Sequence, residues 1–158
     1  MTSDRPPYSL DSSSLVFAWT DAYPPEHFAT FWDRLDRLAA AGRALVTDEV
    51  FQEMSKKEDG LYQWLRARPH MIVPHTEDIQ QCVSEILGTH PLLIKATGTN
   101  RSGADPFVIA LARCRTAQVI SQERFGSDQR PKIPDVCRAY SVPCERLKQL
   151  ITLEGWRF

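Results

Sequence analysis

Four acidic residues stand where a carboxylate could do chemistry. Asp105 opens the run Asp105-Pro106-Phe107-Val108-Ile109-Ala110-Leu111-Ala112, which has too little polar surface for a solvent-facing element and reads as a buried helix. Pro106 suits its first turn, where a missing N–H costs nothing. Asp11 ends the short strand Tyr8-Ser9-Leu10-Asp11, and Ser12, Ser13 and Ser14 follow it as a strand-to-helix turn. Glu123 follows the apolar strand Gln118-Val119-Ile120-Ser121. Glu53 lies on a helix after a third strand, roughly 105° from the centre of the apolar face set by Val50, Phe51 and Met54, whereas Glu49 lies roughly 145° away. Carboxylates gathered within a few Å repel unless a cation compensates, and hard oxygens suit Mg²⁺ or Mn²⁺. Three of these positions also have a plainer use: Asp105 as a helix N-cap, Asp11 as a cap or Asx-turn shared with the serines, Glu53 as an exposed surface charge.

The elements that would position these groups follow from periodicity. Apolar residues at 28, 31, 32, 35, 38 and 39 predict an amphipathic helix over 26–41, closed by Gly42. Residues 43–47 read as a strand, with Asp48 capping a helix to about Lys57. Residues 59–68 read as a helix stopped by Pro69, 71–73 as a strand, and 76–87 as a helix closed by Gly88. The stretch 90–95 is ambiguous, and 97–103 is a polar loop with no phosphate-binding fingerprint. Lys132 to Cys137, Ser141 to Cys144 and a helix over 145–153 form a terminal strand-and-helix unit. Helices alternating with strands near 8, 45, 72 and 119 predict a three-layer α/β fold, with a mostly parallel sheet of four to five strands and helices on both faces. In such a sheet, residues just past the carboxyl ends of strands line the ligand crevice, which is where Asp11 and Glu123 would meet.

Composition bounds the class. The 158 residues suit one domain, 1–158, with an ordinary apolar fraction of 42% and mixed charge, which exclude disordered and fibrous classes. No apolar run approaches the roughly 18 residues of a membrane span, and the first residues lack a signal peptide's core, so a cytoplasmic protein is expected. Cys82, Cys114, Cys137 and Cys144 have no C-x-x-C spacing and read as buried thiols, and His27, His70, His75 and His90 show no ligand spacing. Charge is uneven: residues 1–100 carry a formal −5 and residues 101–158 a formal +4, an asymmetry that can steer a polyanion to one side.

Tyr8-Ser9-Leu10-Asp11-Ser12-Ser13, the Glu53-Met54 pair, Ala104-Asp105 and Ser121-Gln122-Glu123 resemble, in that order and over nearly the whole chain, the PIN domain. With Lys132-Ile133-Pro134-Asp135-Val136-Cys137, Trp156 and Phe158, the chain is similar to an uncharacterised PIN-like subgroup placed among VapC-type toxins. The resemblance implies a Mg²⁺- or Mn²⁺-dependent endoribonuclease with Asp11, Glu53, Asp105 and Glu123 as acidic metal ligands and Ser13 and Ser121 as supporting hydroxyls. It also implies RNA as substrate and a cognate antitoxin as partner, and it is compatible with a homodimer. Glu123 stands where the family commonly has Asp within Thr-x-Asp. Two other classes fit the same pattern: a PIN-like RNA- or protein-binding module with weak catalysis, and a phosphohydrolase, for which no catalytic lysine precedes a helix at the right strand end.

Overall fold

The computed structural model describes residues 5–94 and 103–158. The strand read at 8–11 becomes β1 (Tyr8–Leu10), and the chain turns at Asp11 into α1 (Ser12–Phe17), which runs on through a π-helical turn at Ala18–Ala22. After α2 (Ala29–Ala40) come β2 (Ala44–Thr47), α3 (Asp48–Ser55), α4 (Gly60–Arg66) and β3 (Ile72–Val73). The second half holds α5 (Glu77–Thr89), α6 (Asp105–Arg115), β4 (Gln118–Ile120), α7 (Ile133–Ala139), β5 (Cys144–Glu145) and α8 (Leu147–Glu154). The five strands form one parallel sheet in the order β3-β2-β1-β4-β5, an α/β architecture with helical crossovers, as expected.

Both faces of the sheet are covered, because neighbouring residues of β1 reach helices in opposite directions. Ser9 Oγ donates to Val108 O of α6 at 2.8 Å, while Tyr8, of the other pleat, sends its hydroxyl to Glu154 Oε2 of α8 at 2.7 Å. All three residues of β1 and of β4 are buried, and α6 buries Pro106 and Val108–Ala112 against them, so the predicted apolar helix is indeed core. Glu154 also receives both Nη atoms of Arg43, at 2.9 and 2.8 Å. Burial alone would raise its pKa, but the hydrogen bonds from Arg43 and Tyr8 outweigh this and hold it below the usual carboxylate range. A carboxylate is thus neutralised at the amino edge of the sheet.

Local corrections come mainly from caps. The helix expected from Glu26 starts at Ala29, since Pro24 to Phe28 form a turn with His27 and Phe28 N–H groups on Pro24 O. Thr47, not Asp48, caps α3: its hydroxyl accepts from Val50 N at 3.1 Å, and Asp48 is the first helical residue. Gly42 does end α2, in the left-handed region with φ of +74°, where a side chain would be strained. Gly88 lies inside α5, which continues to Thr89. The ambiguous segment after it holds a 3₁₀ turn at Pro91–Leu93, and the polar loop read at 97–103 lies, except for Gly103, outside the described residues. Among the described residues, no helix is long and apolar enough to cross a membrane.

Candidate functional site

The chain leaves β1 for β2 and β3 on one side, then returns to place β4 on the other, so the direction of strand order reverses between β1 and β4. Such a switch point opens a crevice at the carboxyl ends of the strands. Register puts Leu10 opposite Ile120, and the Asp11 N–H bonds Ile120 O at 2.9 Å, so the next residues, Asp11 and Ser121, emerge side by side in that crevice.

Asp11 is 2% exposed, and its carboxylate is held by hydroxyls. Ser13 Oγ donates to Asp11 Oδ2 at 2.6 Å and Ser121 Oγ donates to the same oxygen at 2.9 Å. Each hydroxyl in turn accepts a backbone N–H: Gln122 N on Ser13 Oγ at 3.0 Å, and Glu123 N on Ser121 Oγ at 3.1 Å. Ser13 Oγ and Ser121 Oγ also lie 3.3 Å apart, so two hydroxyls and two backbone N–H groups close a network around one carboxylate oxygen. Burial nevertheless dominates and pushes the Asp11 pKa up, against the lowering effect of Ser13, Ser121 and the N–H groups of Ser12 and Ser13. Asp11 occupies the N-cap position of α1, yet its side chain makes no cap bond; Ser14 Oγ instead donates to Asp11 O at 2.7 Å. Among the described residues, no salt bridge reaches Asp11.

Asp105 arrives at the same edge by geometry. Val108 is level with Ser9, and α6 runs antiparallel to the strands as a crossover helix must. Three residues back along α6 is about 4.5 Å, and two residues on along β1 is about 6.6 Å, in the same direction. Asp105 is therefore carried toward the level of Asp11, and it is 7% exposed. The cap position of α6 belongs to Ala104, with Asp105 the first helical residue. A carboxylate there is favoured by the helix dipole.

Glu123 and Glu53 are half-buried. Glu123 Oε2 accepts from Ile133 N, at the start of α7, at 3.1 Å. Cys137 of α7 is buried, and its thiol pKa is pushed up, first by a hydrogen bond with Cys144 and by burial, then by the charges of Asp11 and Glu123. Glu53 stands on α3, while Glu49, one turn earlier, faces His75, with Oε1 3.8 Å from Nε2. His75, given no role from spacing, sits just past β3 and stacks on Phe107 of α6 with ring centroids 4.4 Å apart. It belongs to the carboxyl edge, although no sequence spacing could reveal it.

The structure therefore joins Asp11, Ser13, Ser121 and Glu123 in one network region, brings Asp105 to that edge and holds Glu53 on the adjoining α3. Among the described residues, no three His, Cys, Asp or Glu side chains form a group that could hold an ion. Asp11 is turned to its serines and Glu123 to the Ile133 N–H. Beside them opens a cavity of about 490 Å³ whose wall includes Ser121, Glu123, Phe125 and three arginines, Arg124, Arg138 and Arg146. No spacing in the sequence marks these residues as individuals; their trace there is the basic balance of residues 101–158.

None of the curated proteins compared with the chain matches it. A family model does match, over residues 8–158, which takes in every strand, Asp11, Asp105, both glutamates and the cavity wall, and the chain accordingly belongs to the family described as a domain of unknown function, DUF4411.

Proposed function

We propose that this protein is a metal-dependent endoribonuclease of the PIN type that hydrolyses RNA phosphodiester bonds, acting as the toxin of a toxin–antitoxin pair in the cytoplasm. The observation that supports it most is the contrast between the two buried carboxylates placed at opposite ends of β1. Glu154 is met by an arginine, whereas Asp11, buried at the switch-point crevice, is met among the described residues by hydroxyls and N–H groups and by no salt bridge. A buried carboxylate without a cation is costly, and serines oriented toward it preserve the charge that raises the cost. That arrangement is useful when a cation is to be bound.

The donors at this edge are carboxylate oxygens, the set that hard divalent cations take, and Asp11, Asp105, Glu53 and Glu123 are the residues that would hold Mg²⁺ or Mn²⁺. When bound, such an ion lowers the pKa of water and stabilises the oxygens of an in-line phosphodiester displacement. Ser13 and Ser121 fix the Asp11 carboxylate so that its orientation does not change with the charge of its surroundings. Asp105, inside the first turn of α6, presents its charge from a rigid element.

A second reading, an RNA- or protein-binding module with weak catalysis, is favoured by Glu123, whose carboxylate already serves the Ile133 N–H. Incubation of the protein with RNA and with a small phosphoester, in Mg²⁺, Mn²⁺ or EDTA, separates these. RNA cleavage that needs metal and is lost in Asp11→Asn supports the nuclease. Binding without cleavage in any metal supports the module, and hydrolysis of the small ester alone overturns both. A small antitoxin encoded beside this protein should copurify with it and suppress growth arrest; no complex on coexpression would remove the toxin part of the reading.

A further inference from the structure

The cavity beside Glu123 has a chemistry of its own. Phe125 is 59% exposed, the most exposed large apolar side chain among the described residues, and it forms part of the cavity wall. The Arg138 guanidinium lies over its ring, 4.6 Å from the centroid, which makes a platform of an aromatic and a planar cation. Arg124 and Arg146 enter the same wall, and Arg146 Nη2 is steadied by Gln122 O at 3.2 Å. Among the described residues, none of these three arginines is in a salt bridge. The acidic residues of the wall are Glu123, which serves Ile133 N, and Glu145.

An exposed aromatic beside three arginines that make no salt bridge among the described residues suits one kind of ligand best. Phosphates call for the arginines but leave Phe125 unexplained; an apolar partner segment would cover Phe125 but would bury three cations against only two carboxylates, Glu123 and Glu145. A nucleotide uses both, its base against the aromatic and guanidinium planes and its phosphates against the remaining arginines. The volume, about 490 Å³, falls within the ~300–1,000 Å³ of small-ligand sites and is far too small for a duplex. Only an unpaired base could enter it.

We propose that this cavity is a nucleotide subsite that receives one unpaired base of single-stranded RNA, stacked on Phe125 and Arg138, with Arg124 and Arg146 taking the flanking phosphates. Because Ser121 and Glu123 belong both to its wall and to the Asp11 region, a strand seated there has its next phosphodiester directed to the acidic residues. That directing role rests on the nuclease reading; the binding itself does not. The four residues are binding and positioning residues, none of them a ligand of the acidic site.

Binding of a fluorescently labelled single-stranded RNA octamer to the full chain in EDTA, read by anisotropy, tests the subsite without cleavage. Phe125→Ala should weaken binding about tenfold and Phe125→Trp should restore it, while thermal melts stay unchanged because the side chain is exposed. Arg124→Ala and Arg146→Ala should each reduce the slope of log affinity against log salt by roughly 0.7, one phosphate contact apiece. A base-paired hairpin should bind at least about tenfold more weakly than the octamer. Equal binding by wild type and Phe125→Ala, equal affinity for the hairpin, or capture of a protein partner in this cavity with no RNA affinity overturns the proposal. Metal-dependent cleavage whose KM ignores Phe125→Ala would sink the subsite and leave the nuclease; Phe125-dependent binding without cleavage in any metal would do the reverse.

Discussion

Ser121 Oγ donates to Asp11 Oδ2 at 2.9 Å, joining residues 110 positions apart across the line where β1 meets β4. The same hydroxyl accepts the Glu123 N–H, so it links a carboxylate to the backbone that leads to another. Ser121→Ala leaves a buried carboxylate short of one donor and an N–H short of its acceptor, which should destabilise the protein by about 1–3 kcal/mol. Ser121→Thr, keeping the hydroxyl, should recover most of this. Chemical denaturation of the three proteins measures it, and an undisturbed Ser121→Ala would mean that the contact carries no weight.

Asp11→Asn should abolish RNA cleavage while leaving the fold intact, since the amide keeps the shape and its oxygen can accept from both serines. The change should also stabilise the metal-free protein at pH 7. Burial raises the folded-state pKa of Asp11, and a raised folded pKa means stability fully present below the unfolded value of about 3.9 and lost as pH rises through the folded value. The advantage of Asp11→Asn should therefore be largest at neutral pH and vanish below about pH 4. Urea titrations from pH 3 to 8 give the curve; a variant less stable than wild type at pH 7 would show that the hydroxyls outweigh desolvation.

Glu53→Gln should impair cleavage severely and Glu49→Gln mildly. Glu49 has a side chain 38% exposed and is 3.8 Å from His75, a surface pair worth about 0–1 kcal/mol to stability. Single-turnover cleavage rates for both variants decide the matter. The opposite ranking would move the acidic site one helical turn along α3, next to His75.

Mn²⁺ should raise the melting temperature of wild type, by the equivalent of about 2.7 kcal/mol at a hundredfold excess over Kd. Asp11→Asn and Asp105→Asn should each lose most of that response, whereas Glu49→Gln should keep it. Calorimetric scans with Mn²⁺ and with EDTA read this directly. An unchanged Mn²⁺ response in Asp105→Asn would reduce Asp105 to a charge at the mouth of α6.

The strands were the most legible part of the chain, because Ala44-Leu45-Val46 and Val119-Ile120 are apolar cores flanked by helices, and such runs have few alternatives in an alternating α/β pattern. Caps were legible only as a choice between neighbours. Whether Thr47 or Asp48 turns to the Val50 N–H, or Asp11 to its helix rather than to its serines, depends on rotamers set by the strand beside it. The carboxyl-edge position of Asp11 could be read, but its bond to Ser121 required knowing that β4 returns to the side of β1. Phe125 and Arg138 come from segments with no periodic relation, so their stack could not be anticipated.

The place of β1 in the sheet governs when this protein acquires its site. Its neighbours are β2, made soon after it, and β4, made only when three quarters of the chain exists. During synthesis β1 and β2 can pair early, leaving the other side of β1 an open edge, and Asp11 hydrated beside it. A chain that ends before residue 118 has neither Ser121 to orient the carboxylate nor the wall of the arginine cavity. The carboxylate, beside Ser13 from the outset, gains its second hydroxyl partner, Ser121, only when β4 docks against β1.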